Sequence, residues 1–352
     1  MSYVEILTDN GLTVEQWEDS IFTEYLSEMQ FANFTGEGPT AIIQVKEQLA
    51  KQDGDAVTIG MRGQINGGLV TGNSKGVGNE GTMEFYNQRI TIDNTRRLVK
   101  IENVRMSEKR VAFGVLKQAR AALTEVFKED LENDLVSALT DTASGRVRGR
   151  YLYGAADSNW NATHATALAN VDSTNDRLTT DAVEIMKRKA TIPVNALARI
   201  RPFKVKGGKN VEQWFSLWGH SYNMRDLRKY DAAWVNAHLN IPPQAMGDSP
   251  IYSGSWFKGA WEGVLLYEYD RMPLLAGTGA SSIQTSHSIL CGAQAAAIVW
   301  GQRSKFGEES QDVGHTRVYE LHEIRGIQKL VFSRSTPEDN GVVHGFFSAG
   351  AD

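Results

Sequence analysis

The stretch AVTIGMRGQINGGLVTGNSKGVGNEGTMEFYNQRITID, residues 56–93, decides the fold. Eight glycines lie between Gly60 and Gly81, and segments with strand-like composition flank them. The second segment alternates polar and apolar residues from Arg89 and continues towards Val99 and Ile101. This pattern predicts a long β-hairpin with a flexible tip. Because such a hairpin has little apolar surface for a core of its own, we expect it to lean on another molecule.

Residues 107–141 follow with no proline and with Gly114 as their one glycine. Their apolar residues recur at steps of three and four, which is the period of one helix face. Ser107 is a plausible N-cap and Gly145 lies just past the end, so a single helix about 50 Å long is predicted. A coiled-coil seam is the alternative, but the later steps of four residues are not a heptad repeat and favour a long helix on a sheet.

Charge is distributed in blocks along the first third of the chain. Residues 1–55 hold eleven acidic residues against Lys46 and Lys51, whereas residues 56–105 hold seven basic residues against four acidic ones. Apolar residues of the acidic arm share one helix face: Trp17, Ile21, Tyr25, Leu26 and Met29. The arm therefore packs either on its own domain or on a neighbour, and its charge is opposite to that of the hairpin.

The remainder of the chain predicts short mixed elements. We expect a helix near residues 180–190 and one long strand from Val318 to Phe332 with a bulge at Gly326. The polar tract 157–175 fits no pattern.

Composition excludes several classes of protein. The 352 residues carry a net charge of -5 and one cysteine, so a disulfide framework and a four-cysteine zinc site are impossible. The longest apolar run, Ile289–Trp300, is too short to cross a bilayer. The N-terminus has no secretory signal pattern, which predicts an intracellular origin. The acidic balance argues against a protein that coats nucleic acid.

Two motifs with possible chemistry lie in the glycine tract. Residues 76–81 match the dinucleotide-binding pattern GxGxxG, and residues 72–76 match the nucleophile-elbow pattern GxSxG. A strand follows the first motif, whereas bound phosphate requires a helix N-terminus there. We interpret both matches as chance in a glycine-rich loop.

Histidine and cysteine offer little further chemistry. His315, His322 and Glu323 are the nearest approach to a metal cluster, but seven residues along a strand place the two imidazoles on opposite faces. We therefore predict no metal. Cys291 lies in an apolar run, which favours a buried structural thiol over a reactive one.

Aromatic and basic residues occur together in residues 199–234. The basic run 199–209 surrounds Phe203 and could contact a phosphate backbone. Trp214, Trp218 and Trp234 are interpreted as core residues, because basic residues do not alternate with them as in a nucleic-acid groove.

Several ordered matches point to one family. The chain resembles the tailed-phage major capsid proteins with the fold named for phage Hong Kong 97. The matching segments are YNQRITID at 86–93, VRMSEKR at 104–110, PIYSG at 250–254, WEGVLLYE at 261–268, CGAQA at 291–295 and GIQK at 326–329.

The resemblance implies an α+β, Hong Kong 97-like capsid fold with peripheral and axial domains. Its expected parts are an N-terminal arm (1–55), an extended hairpin loop (56–106), a spine helix of the peripheral domain (107–145), an axial domain with part of the peripheral domain (146–315), and a return strand with the C-terminus (316–352).

The implied function is a structural subunit, not an enzyme, that self-assembles into the icosahedral shell around the double-stranded DNA of a tailed phage. No cofactor is expected. The implied partners are copies of the chain in hexamers and pentamers, a scaffold protein, a portal protein, a decoration or cement protein, and packaged DNA without sequence specificity, with no membrane. The hairpin is reached within about 55 residues, so we expect the scaffold to be a separate protein. The location would be the virion, after assembly in the host bacterial cytoplasm.

Opposite charges on the arm and the hairpin favour register between subunits. Contacts between subunits are therefore predicted at Trp17, Glu18, Glu24, Arg62, Lys75, Glu84, Arg89, Arg96 and Arg97. Three alternatives remain: an encapsulin-like nanocompartment shell, a nucleotide-binding enzyme that uses the tract Gly60–Gly81, and a nucleic-acid binder that uses the basic run.

Overall fold

The computed structural model describes residues 30–47, 54–110, 115–143, 146–192, 198–207, 210–240, 250–252, 256–332 and 337–350. Its α-helices are α1 Val104–Arg110, α2 Val115–Leu139, α3 His164–Ala169, α4 Thr180–Thr191, α5 Ser221–Tyr230 and α6 Ala232–Asn240. Its strands are β1 Thr35–Gly36, β2 Ile43–Lys46, β3 Ala56–Asn66, β4 Thr82–Thr91, β5 Asp93–Ile101, β6 Tyr151–Tyr153, β7 Phe203–Gly207, β8 Asn210–Gly219, β9 Phe257–Trp261, β10 Val264–Glu268, β11 Leu274–Leu275, β12 Thr285–Cys291, β13 Ala296–Gln311, β14 Thr316–Lys329, β15 Val331–Phe332, β16 Glu338–Asp339 and β17 Val342–Ser348.

The first sheet has the strand order β1-β2-β13-β14-β5. Its centre is the long antiparallel hairpin of β13 and β14, which β5 extends on one side and β2 on the other. Residues of β14 alternate between buried and partly exposed, as the two-residue period of a strand requires when one face is covered. The predicted strand from Val318 to Phe332 is thus largely confirmed, although it ends at Lys329 and Val331–Phe332 pairs with β16 instead.

The long helix α2 packs across one face of this sheet. Its buried residues follow the predicted period and join one core cluster with Ile298, Trp300 and Leu321: Phe127, Leu131, Leu135 and Leu139. The 25 residues of α2 span about 38 Å. The predicted placement of a long helix on a sheet is confirmed.

Both ends of the helical region differ from the prediction. Helix begins at Val104, before Ser107, whose hydroxyl donates to the carbonyl of Glu102 at 3.3 Å instead of capping. At the other end α2 stops at Leu139, two residues before the end of the predicted segment 107–141. There the Asp141 carboxylate accepts the N–H of Ala143 at 2.9 Å, which bends the chain into a turn.

The glycine-rich hairpin consists of β3 and β4, which pair antiparallel from Ala56 opposite Thr91 outward. We call these two strands with their connecting loop the ribbon. The predicted continuation of the hairpin to Val99 and Ile101 was wrong, because β5 leaves the ribbon and pairs with β14. Long-range pairing with β14 separates two strands that read as one in the sequence.

The base of the ribbon packs on its own chain. Val57, Ile59 and Ile90 are buried against Ala297 and Val299 on the sheet face opposite α2. The expectation that the hairpin leans on another molecule therefore does not apply to this base.

Gly326 is not the predicted bulge. It pairs regularly with Val299, and the register irregularities lie on the neighbouring strand between Trp300 and Lys305. A Cβ atom at position 326 would overlap the carbonyl oxygen of Thr91 in the ribbon. Glycine is required here because the ribbon crosses β14 in close contact.

We expect Gly326→Ala to lower the free energy of unfolding by about 1–3 kcal/mol, because the added methyl must displace backbone. Urea denaturation of the unassembled chain measures this change. Gly68→Ala is the matched control, since a Cβ there meets nothing within 4 Å. Equal midpoints for the two variants would contradict the prediction.

The second sheet has the order β6-β17-β12-β8-β10-β9, with β11 paired to β12 and β7 to β8. Helix α4, close to its predicted position, covers it with Val183 and Met186 in a buried cluster with Leu217 and Phe347. The polar tract 157–175 contributes α3, whose Ala167 and Leu168 pack beside Tyr151.

The aromatic and thiol predictions can be placed on these sheets. Trp218 and Trp234 are buried and Trp214 packs against the core, so their interpretation as core residues is confirmed. Cys291 is also buried, and burial raises the pKa of its thiol, as expected of a structural cysteine. In the described part of the chain, no helix is both long and apolar enough to span a membrane.

A buried polar chain joins the two sheets. Lys329 at the end of β14 lies 2.8 Å from one oxygen of Asp339, and the other oxygen is 2.9 Å from Nε2 of His344 in β17. Nδ1 of His344 is in turn 2.9 Å from Nε2 of His287 in β12, and all four side chains are buried. If Asp339 is ionised, Nε2–H of His344 donates to it and Nε2–H of His287 donates to Nδ1 of His344.

From this row of buried polar side chains we predict that the protein loses stability in mild acid. Burial lowers the pKa of His287 and His344 well below 6.5, so only the unfolded chain takes up their two protons as the pH falls. Burial raises the pKa of Asp339 to about 7, which offsets one of those protons. One net proton remains, so these three groups together lower the free energy of unfolding by up to about 1.4 kcal/mol for each pH unit below about pH 6.5.

Urea denaturation at pH 7 and pH 5 measures this loss. The double variant His287→Gln/His344→Gln keeps polar side chains but cannot take up the two protons, so it should lose less stability between the two pH values than the parent chain. An equal loss in both proteins would contradict the assignment to the histidine pair.

Candidate assembly surfaces

The outward face of the ribbon carries an uncovered apolar strip. A bulge between Arg62 and Ile65 places Ile65 opposite Met83, on the same face as Phe85. Ile65, Met83 and Phe85 are 64%, 42% and 70% exposed. Large apolar side chains grouped on one exposed face mark an interaction surface. We call these three residues the ribbon strip.

The tip of the ribbon adds to this surface. Leu69 and Val77 are exposed. Some hydrogen bonds of the loop join its own residues, since the N–H of Gly78 donates to the Glu80 carboxylate at 2.7 Å. Gly72 and Gly78 have positive φ, which lets the loop turn tightly. The tip therefore presents apolar side chains and flexible backbone to solvent.

The predicted contact residues lie in several places. Trp17, Glu18 and Glu24 lie outside the described residues. Arg62, Lys75 and Glu84 are exposed on the ribbon, with Glu84 hydrogen-bonded to the hydroxyl of Tyr86.

The remaining three predicted residues differ in their partners. Arg89 pairs with Asp55 at 3.1 Å in the same chain, and both side chains are largely exposed. Arg97 forms two bonds of 2.7 Å to Asp130 of α2, and these bonds raise the pKa of its guanidinium. Arg96 is exposed on β5. The sequence predicted the charged residues of this region but not the ribbon strip. The available signal was the alternation of Met83 and Phe85 with polar residues in β4.

A second exposed tip closes the β13–β14 hairpin. Asp312, Val313 and Gly314 have φ angles of 50°, 50° and 83°, and Val313 is 96% exposed. A β-branched residue with positive φ is strained.

The described residues do not support a phosphate site in the glycine tract. The GxGxxG segment ends at Gly81, directly before β4, and a strand instead of a helix follows it, so a phosphate would lack the helix N-terminus that the motif requires. Phe203 is buried and therefore not available for stacking, whereas contact of the basic run 199–209 with a phosphate backbone stays a prediction. Among the described residues, no group of three His, Cys, Asp or Glu side chains could hold a metal ion.

A family model described as phage capsid protein matches residues 6–344. The chain belongs to this family. As a phage capsid protein it is a major structural subunit of a capsid, and it assembles with its copies into the shell of the virion. A search of curated proteins gave no match.

Solved capsids share the fold of this capsid protein. The cyanophage Pam1 capsid is 26% identical with a TM-score of 0.78, covering 93% of this chain and 94% of that chain. The capsid of Ralstonia phage GP4 is 22% identical with a TM-score of 0.75, covering 92% of each chain. The capsid of Helicobacter pylori bacteriophage KHP30 is 15% identical with a TM-score of 0.68, covering 91% and 90%. The expected α+β, Hong Kong 97-like fold is confirmed.

Proposed function

We propose that this capsid protein builds the icosahedral shell around the double-stranded DNA of a tailed phage, with the ribbon of each subunit lying on a neighbour. The observation that carries the proposal is the ribbon strip, because Ile65, Met83 and Phe85 are exposed in a single copy. Burying such side chains releases about 25 cal/mol per Å² of apolar surface. Every copy presents the same strip, so repeated association can bury all of them.

We propose that each of the two sheets forms one domain of the subunit. The first sheet with α2 corresponds to the peripheral domain, and the second sheet with α4 corresponds to the axial domain at the capsomer centre. Of the predicted arm at residues 1–55, Thr35–Gly36 and Ile43–Lys46 belong instead to the first sheet, so the proposed arm is confined to the residues before them. Intersubunit contacts are proposed at the predicted charged residues together with the ribbon strip.

The proposed partners are those of shell assembly in the host cytoplasm. We propose hexamers and pentamers of the chain, a separate scaffold protein, a portal protein and a decoration or cement protein. The net charge of -5 supports non-specific contact with packaged DNA, because an acidic wall does not bind the genome tightly.

Electron microscopy of the protein expressed with and without its scaffold tests the proposal. We expect closed icosahedral particles of uniform size with the scaffold, and aberrant or no particles without it. Uniform particles from the chain alone would overturn the separate scaffold. A compact monomer with the scaffold present, whose ribbon strip is protected from solvent labelling, would overturn the shell itself.

A further inference from the structure

The described residues leave part of one face of the first sheet uncovered. Helix α2 covers one face, and the ribbon base covers the other only around Ala297 and Val299. Farther along that second face, Lys305 and Arg96 are exposed and Leu98 is about half exposed. We call this area the open sheet face.

Strand register places three basic side chains in one row on this face. Lys305 of β13 lies opposite His322 of β14, and His322 lies opposite Arg96 of β5. Directly opposite residues of antiparallel strands share a face with Cβ atoms about 5 Å apart, so Arg96 and Lys305 lie on either side of His322 on this face.

Two charges of this row have no acidic partner in the described part of the chain. Glu320 lies 3.0 Å from Nδ1 of His322, but no described carboxylate lies within ion-pair distance of Arg96 or Lys305. Because the positive charges of Arg96 and Lys305 lie on one exposed face, the open sheet face fits an acidic partner.

The chain carries such a partner outside the described residues. Residues 1–29 contain seven acidic residues and no lysine or arginine: Glu5, Asp9, Glu15, Glu18, Asp19, Glu24 and Glu28. The described chain begins at Gln30, whose N–H donates to Glu132 of α2 at 3.1 Å. Phe31 follows in the core cluster that α2 helps to form. The acidic segment thus starts on the helix-covered side of the sheet, opposite the basic row, which favours the row of another copy.

We propose, on the basis of the proposed function, that residues 1–29 of a second copy lie on the open sheet face with carboxylates against Arg96, His322 and Lys305. The contact makes each subunit both donor and acceptor of an acidic segment, so it links copies in sequence around the shell. It differs from a contact between the acidic segment and the basic ribbon, which charge blocks alone would favour.

Carbodiimide cross-linking tests the contact, because this reagent joins a lysine directly to a carboxylate. Particles are assembled with the scaffold from equal amounts of ¹⁵N-labelled and unlabelled protein, free of DNA, and cross-linked peptides are identified by mass spectrometry. We expect Lys305 joined to a carboxylate of residues 1–29, with about half of the pairs containing one heavy and one light peptide. Arg96→Glu should lower this yield about fivefold or more, while Arg188→Glu at an exposed position of α4 should not.

Every other outcome overturns the contact, and each assigns the acidic segment or the basic row to a different partner. If no cross-linked pair combines a heavy and a light peptide, the segment lies on its own chain. Cross-links from Lys75 of the ribbon in place of Lys305 move the contact to the ribbon. Intact particles in which Lys305 joins no carboxylate, but is shielded from acetylation only when DNA fills the particle, assign the row to nucleic acid and leave the shell function standing. A preparation with no particles overturns the shell function, and the contact with it.

Discussion

Replacing the whole ribbon strip, Ile65→Ser/Met83→Ser/Phe85→Ser, is expected to leave the chain folded and to abolish particle formation. The three side chains are exposed, so their loss removes little from the core of a single chain. Each substitution weakens the free energy of association at this contact by about 1–3 kcal/mol, and every subunit repeats the contact. Since shell assembly depends on many such contacts at once, the combined effect should prevent it.

Sedimentation velocity and electron microscopy of the triple variant, expressed with its scaffold, measure this effect, and circular dichroism checks its fold. Asn87→Ser is the matched control, because Asn87 is exposed on the same face of the same strand but is polar. Particles at the normal yield from the triple variant would show that the ribbon contacts its neighbour by other residues.

Asp339→Ala is expected to lower the free energy of unfolding by about 3–5 kcal/mol, the largest stability change predicted for this chain. The substitution leaves the buried Lys329 ammonium without its carboxylate and His344 without an acceptor. It also breaks the polar connection between the two sheets. Thermal or urea denaturation of the unassembled chain measures the loss.

The double variant Lys329→Met/Asp339→Leu separates charge from packing. It removes both buried charges, so most of the stability lost in Asp339→Ala should return. Arg89→Ala, which breaks a largely exposed ion pair, should leave the unfolding midpoint nearly unchanged. A double variant as unstable as Asp339→Ala would mean that the change in side-chain volume, and not the loss of the carboxylate beside Lys329, sets the loss of stability.

Local patterns predicted those elements whose signal lies within one segment. The glycine tract specified a ribbon with a loose tip, and the spacing from Leu123 to Leu139 specified one buried helix face. The ends of the helical region were missed, because Val104 begins the helix where β5 ends against β14. Charged contact residues were predicted from the opposite net charges of residues 1–55 and 56–105. One of them, Arg97, pairs instead with Asp130 in the same chain.

The amino-acid sequence by itself determined the ribbon, the long helix, the buried cysteine and the resemblance to capsid proteins, because each follows from residue type and spacing over a few tens of residues. Only the tertiary structure decided that β5 leaves the ribbon, that a bulge brings Ile65 beside Met83 and Phe85, and that Lys305, His322 and Arg96 share one row. These features depend on strand register between segments up to about 230 residues apart. A shift of one residue would send every side chain to the other face, and no local pattern encodes that choice.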